Sequence, residues 1–121
     1  MISRTIPILL LLATVPAFAA PAKAPAPQPP VTVESLLSQA QAATGRGETE
    51  LALRLAQSAI VADPARPTSY VALGDIYAQA GQTDYARNFY DAALGIDPVE
   101  PSALKALAAL DRAHPTVNAA R

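Results

Sequence analysis

The sequence predicts an all-α protein made of repeated helical hairpins, an α-solenoid fragment of about five helices. Glycine, alanine and proline recur at a spacing of 34 residues, for example at Gly47 and Gly81 and at Pro64 and Pro98. Between them, apolar side chains follow at intervals of three and four, which places them on one face of a helix. No alternation of β-branched residues competes with this pattern, so no strand is expected.

The spacing divides the chain into a first unit at residues 33–66 and a second unit at residues 67–100. Each unit is expected to form two antiparallel helices joined at Gly47 or Gly81, because glycine adopts the left-handed conformation after a helix without a Cβ penalty. An Asp-Pro pair closes each unit, and a second proline opens the next helix in its first turn. Residues 101–114 should then form one extra C-terminal helix.

The second unit has the clearer apolar pattern. Its first helix should carry one apolar stripe, formed by Tyr70, Leu73, Ile76, Tyr77 and Ala80. Its second helix should carry another, formed by Ala86, Phe89, Tyr90, Ala93, Leu94 and Ile96. Small residues at Gly74 and Ala86 would let the two backbones approach closely while the tyrosines fill the remaining space.

The order of residues in the second unit resembles the tetratricopeptide repeat (TPR), with tyrosine in place of the usual tryptophan and phenylalanine. The matching residues are Tyr70, Leu73, Gly74, Tyr77, Ala86, Tyr90 and Pro98. The first unit departs from the pattern at Leu36, Gln39, Ala40, Ala43 and Ala56. Residues 33–114 are therefore similar to a degenerate repeat, a fuller repeat, and a capping or half-repeat helix.

The N-terminus has the features of an export signal. Arg4 precedes an apolar stretch at residues 6–15, and Ala17-Phe18-Ala19 fits a signal peptidase site. Residues 1–19 are therefore predicted to be a signal peptide cleaved after about Ala19, which would make the protein periplasmic or secreted. The alternative is an uncleaved membrane anchor, although the stretch is shorter than the roughly 20 residues of a spanning helix.

Two further segments are not expected to contribute to a core. Residues 20–32 are a Pro/Ala-rich linker that favours an extended polyproline II conformation. Their alternative role is as a docking segment for a partner. Residues 115–121 are predicted to be a disordered tail.

Composition excludes several classes of function. The net charge is −1 and no basic block is present, so no nucleic-acid partner is expected. The absence of cysteine excludes disulfides and thiolate metal sites. The single histidine, His114, falls in the last turn of the predicted C-terminal helix, where a cation is favoured. The chain is therefore expected not to be an enzyme and to have no catalytic, cofactor or metal site.

The resemblance implies a concave surface, lined by the first helix of each repeat, that binds a peptide of a protein partner. The residues that this surface would carry are Leu37, Gln41, Thr44, Val71, Asp75, Ala78, Gln79, Lys105 and Arg112. Glu34, Thr68, Ser102 and Ala109 complete the set. The resemblance therefore implies an exported adaptor or scaffold of the bacterial cell envelope, without stable membrane insertion after processing. The partner is not identified by the sequence.

Two other roles remain open. The extra helix carries Leu104, Leu107 and Leu110 with small residues around them, so the chain could self-associate through this helix as a homo-oligomeric assembly component. It could also be a non-catalytic accessory subunit of an envelope enzyme or transport complex.

Overall fold

The computed structural model describes residues 27–115, and within them five helices and no strand. The helices form two antiparallel hairpins, α1–α2 and α3–α4, followed by a single helix, α5. Their bounds are Val33–Gly45 for α1, Thr49–Ala62 for α2, Pro67–Gln79 for α3, Thr83–Ile96 for α4 and Pro101–Ala113 for α5. The predicted all-α repeat fold is confirmed.

Both hairpin turns use glycine in the left-handed region, as the sequence predicts. Gly47 has φ 75° and Gly81 has φ 77°. After each glycine, a backbone N–H reaches back to a carbonyl of the preceding helix, from Glu48 to Ala43 and from Gln82 to Tyr77, at 2.9 Å in both turns. This bonding satisfies carbonyls that the end of a helix leaves without a partner.

The connections between helices also repeat. Helices α2 and α4 end immediately before Asp63 and Asp97, and each aspartate side chain accepts a hydrogen bond from the backbone N–H two residues later, at 3.1 Å. Pro67 and Pro101 are the first residues of α3 and α5, where a helix tolerates the missing N–H. The same Asp-Pro connection and the same proline at the start of the next helix therefore follow both hairpins.

Helix α3 is buried on two sides, because it packs against the first hairpin on one side and against α4 and α5 on the other. Leu73 and Ile76, which are 2% and 3% exposed, face the first hairpin and join a cluster of small residues there. Val71 joins a second cluster with Tyr90 and Ala103, between α3, α4 and α5. The sequence predicts a single apolar stripe along α3, whereas two faces of this helix are buried.

Gly74 and Tyr90 approach each other closely inside the second hairpin. A Cβ at position 74 would lie 2.4 Å from the Tyr90 ring, so only glycine fits without movement of the ring. In the first hairpin, Ala40 and Ala56 occupy the equivalent positions, and both are fully buried. The two hairpins therefore fill the same contact differently, one with glycine and tyrosine and the other with two alanines.

Two residues of the predicted apolar stripes are exposed. Ala80 lies after the end of α3, and Ile96 is the last residue of α4, where it is 39% exposed. Each lies at the C-terminal end of its helix. Both residues belong to the apolar stripes by spacing, but they lie outside the core.

The leucines of α5 are not equally exposed. Leu107 and Leu110 are half-buried against the cluster that holds α3, α4 and α5 together, whereas Leu104 is 47% exposed. The apolar surface available at this end of the fold is therefore smaller than three leucines suggest.

Three predicted segments lie outside the described residues: the signal peptide, residues 20–26 of the linker and residues 116–121 of the tail. Residues 27–32 of the linker form no helix, and Thr32 caps the start of α1 by accepting a hydrogen bond from the Ser35 N–H at 3.1 Å. Among the five helices, none has both the length and the apolar character needed to cross a membrane.

Candidate functional site

A groove runs between α1 and α3, the first helices of the two hairpins. Its larger part is a cavity of about 380 Å³ near the hairpin turns. From α1, this cavity is lined by Ala40, Gln41, Thr44 and Gly45. From α3, it is lined by Ala72, Asp75, Ile76, Ala78 and Gln79.

A second cavity of about 180 Å³ continues the groove towards the start of α5. It shares Gln41, Ala72 and Asp75 with the larger cavity, so the two are parts of one surface. Its other lining residues are Leu37, Thr68, Val71 and Ser102. We refer to the lining of both cavities as the α1–α3 groove.

The structure brings most of the predicted surface residues together in this groove. Of the nine residues named first for the concave surface, seven line it: Leu37, Gln41, Thr44, Val71, Asp75, Ala78 and Gln79. Val71 is only 7% exposed and forms part of the floor, because its side chain also packs in the core. Gln41, Asp75 and Gln79 are exposed and lie where a ligand could contact them.

Two predicted residues do not join the groove. Lys105 and Arg112 are exposed on α5 but line neither cavity, and only Ser102 at the start of α5 reaches the groove. Helix α5 packs more extensively against α4 than against α3, so the rest of its surface diverges from the α1–α3 line. These two residues were predicted for the surface from their positions in the repeat, and those positions do not show how α5 packs.

Sequence reasoning missed one contact that organises the groove. The Tyr90 hydroxyl donates a hydrogen bond to Asp75 Oδ1 at 2.6 Å, from α4 to α3. Tyr90 is 2% exposed, so a buried ring holds the hydroxyl in place. The sequence indicated a close approach at Gly74, but not the bond to Asp75, because the bond depends on the direction of the Tyr90 side chain.

The environment of Asp75 changes its acidity. Partial burial raises the pKa of the Asp75 carboxyl above its ordinary value of 3.8, and the hydrogen bond from Tyr90 opposes this rise. The pKa of Tyr90 is also raised, first by burial and then by the neighbouring carboxylate. Asp75 therefore binds a proton more readily than a fully solvated aspartate does, while Tyr90 remains protonated as the donor.

Charged side chains outside the groove lining form ion pairs with one another. Arg66 binds Glu34, one of the residues predicted for the concave surface, and this pairing lowers the pKa of the Glu34 carboxyl. Arg87 of α4 contacts Asp111 of α5 at 2.7 Å and links these two helices. Exposed pairs of this kind contribute little stability, because water and salt screen them.

The groove has the chemistry of a binding surface. Its floor is apolar, with Val71, Ala72 and Ile76, and its edges carry the amides of Gln41 and Gln79. Amides donate and accept hydrogen bonds and can pair with an extended peptide backbone.

In the part of the chain that the structure describes, no group of three or more potential ligand residues could hold a metal ion. That the chain has no catalytic, cofactor or metal site stays a prediction.

Two helical hairpins stacked with their first helices side by side, and a groove along those helices, define a helical-repeat protein. A family model described as Tetratricopeptide repeat matches residues 43–110. The chain belongs to the tetratricopeptide repeat family, as the resemblance of residues 70–98 indicated. No curated protein matches the chain. The family match makes protein–protein interaction the class of function that the fold suggests.

Proposed function

We propose that the protein is an adaptor or scaffold that binds an extended segment of a partner protein in the α1–α3 groove. The observation that supports this most strongly is the groove itself, in which side chains separated by up to 65 positions, from Leu37 to Ser102, meet on one surface. The apolar floor would accept small side chains of the partner. The exposed amides of Gln41 and Gln79 would bind its backbone.

Arginine in place of Gln41 and Gln79 should abolish capture of the partner, because the two long cationic side chains would occupy the groove. Both glutamines are exposed, so the fold should persist in the double variant. A substitution at Val71, which the sequence also suggests as a probe, is less suitable because its side chain is part of the core. The measurement is affinity purification of the tagged chain from its native cells after cross-linking, read by mass spectrometry.

The matched control is Gln57→Arg, a change of the same residue type on the exposed surface of α2. A protein recovered with the wild type and with Gln57→Arg, but lost with the groove variant, would support the proposal. Equal recovery of that protein with all three chains would contradict it. Circular dichroism of each variant separates loss of binding from loss of folding.

We also propose that the chain is exported to the bacterial cell envelope, on the basis of residues 1–19. The expected product is a mature chain that begins at about Ala20. The intact mass of the C-terminally tagged protein, measured in the periplasmic and membrane fractions, tests this expectation. A full-length chain retained in the membrane would favour the anchor instead.

Self-association through α5 is the second candidate role, and the exposure of Leu104 is the observation that favours it. Leu104→Glu should then convert a larger species into a monomer without unfolding it. Leu107 is a poorer probe, because it packs partly against the core. Sedimentation that gives one monomeric mass at all concentrations for the wild type would exclude this role. Recovery with an envelope enzyme or transporter in the affinity experiment would instead support an accessory subunit.

A further inference from the structure

The charge of the α1–α3 groove is concentrated in one side chain. Asp75 is the only ionisable residue among those that the structure places in the lining of its two cavities. The other lining residues are aliphatic, hydroxyl-bearing, amide-bearing or glycine. The groove therefore presents a single negative charge within an otherwise neutral surface.

The Asp75 carboxylate is held in position but keeps capacity for a ligand. One of its oxygens, Oδ1, accepts the hydrogen bond from Tyr90, whose ring is fixed over Gly74. An ionised carboxylate has two oxygens and about four lone-pair positions, so a single donor does not saturate it. Asp75 is also exposed, so a bound group could approach it from solvent.

The nearby cations that could neutralise the groove are engaged elsewhere or lie outside it. Arg66 pairs with Glu34, and Arg87 pairs with Asp111. Lys105 is exposed on α5 but does not line the groove. The charge of Asp75 is therefore available to a partner.

We propose that the partner segment is an extended peptide with a lysine or arginine side chain that binds Asp75. This inference rests on the proposed function of the α1–α3 groove. The aliphatic floor at Val71, Ala72 and Ile76 would accept a small apolar residue two positions from the basic one, because every second side chain of an extended chain lies on the same face. A cation on a partly buried carboxylate makes a charge-assisted hydrogen bond, which is stronger than a neutral one.

The test is selection of a random heptapeptide display library against three folded forms of the full chain: the wild type, Asp75→Asn and Asp91→Asn. Asparagine at position 75 keeps an oxygen that can accept from Tyr90 and removes the charge. Asp91 is an exposed residue of α4 outside the groove, so its change to asparagine controls for net charge. Peptides selected on the wild type and on Asp91→Asn should be enriched in lysine or arginine, and those selected on Asp75→Asn should not.

Synthetic peptides from the selection then give the size and pH dependence of the effect. A lysine-containing peptide should bind Asp75→Asn about tenfold more weakly than the wild type, since a charge-assisted hydrogen bond is lost. Tyr90 from α4 bonds to Asp75, and the other polar residues of the groove lining, Gln41, Thr44, Thr68, Gln79 and Ser102, do not titrate. Because the pKa of Asp75 is raised, wild-type affinity should begin to fall at a higher pH than an aspartate of pKa 3.8 would give. Asp75→Asn should not show this loss.

The outcomes separate this inference from the function on which it rests. Selected peptides that bind the wild type, lose binding with the Gln41→Arg, Gln79→Arg variant and show no basic enrichment would overturn the inference and leave the groove as a peptide site. Peptides that bind the Gln41→Arg, Gln79→Arg variant as strongly as the wild type would contradict binding in the groove itself. Basic enrichment that persists on Asp75→Asn would also overturn the assignment to Asp75.

Discussion

Gly74→Ala is expected to destabilise the protein by about 1–3 kcal/mol. Alanine normally favours a helix over glycine by up to about 1 kcal/mol, so the expected sign is opposite to that of helix propensity. The reason is the Tyr90 ring, which lies 2.4 Å from the position of the added Cβ and is itself packed in the core. The free energy of unfolding, from urea denaturation followed by far-UV circular dichroism, measures the effect.

Gly95→Ala is the matched control, because Gly95 also lies inside a helix but has no atom within 4 Å of an added Cβ. This variant should be unchanged or more stable by up to about 1 kcal/mol. Two variants that are stabilised equally would show that the Gly74–Tyr90 contact does not exist, and the packing of the second hairpin would have to be revised.

Leu73→Ala is expected to cost about 2–5 kcal/mol, or to unfold the chain, because it leaves a cavity between the two hairpins. Leu73 is 2% exposed and lies in a cluster whose other buried members from the first hairpin are all alanines, so it fills much of the space between the hairpins. In a repeat protein, stability depends on the interface between neighbouring units as well as on each unit. The loss should therefore affect both hairpins in one unfolding transition, measured by thermal and urea denaturation.

Leu104→Ala provides the comparison, since Leu104 is a leucine of the same fold that is 47% exposed. Its cost should be less than half that of Leu73→Ala, as the area it removes from water is smaller. Equal costs for the two variants, or a Leu73→Ala change that leaves stability unaltered, would contradict the interface described here.

The repeated glycines and prolines were sufficient to predict the fold. Gly47 and Gly81 determine where the chain turns, and the Asp-Pro pairs determine where each hairpin ends, because both effects depend on local backbone geometry. The exposure of Ile96 was not predictable in the same way. It depends on which residues of other helices cover the last turn of α4, which periodicity alone does not reveal.

The groove was predictable only where helix neighbours follow the repeat. Gln41 and Asp75 stand 34 positions apart and meet because α1 and α3 pack in the regular manner. Lys105 and Arg112 lie at the corresponding positions of α5, but this helix packs more extensively against α4 than against α3. The bond between Tyr90 and Asp75 needed three-dimensional information, because it depends on the side-chain directions of two helices.

Site-specific photo-cross-linking tests the binding groove most directly. A benzophenone amino acid would replace Thr44, which lines the groove, and in a second chain Gln57, which lies on α2. After irradiation in the native cells, mass spectrometry would identify the attached partner and the segment at the cross-link. We expect one partner segment, attached at position 44 and absent at position 57. Attachment of the same partner at position 57, with none at position 44, would contradict binding in the α1–α3 groove.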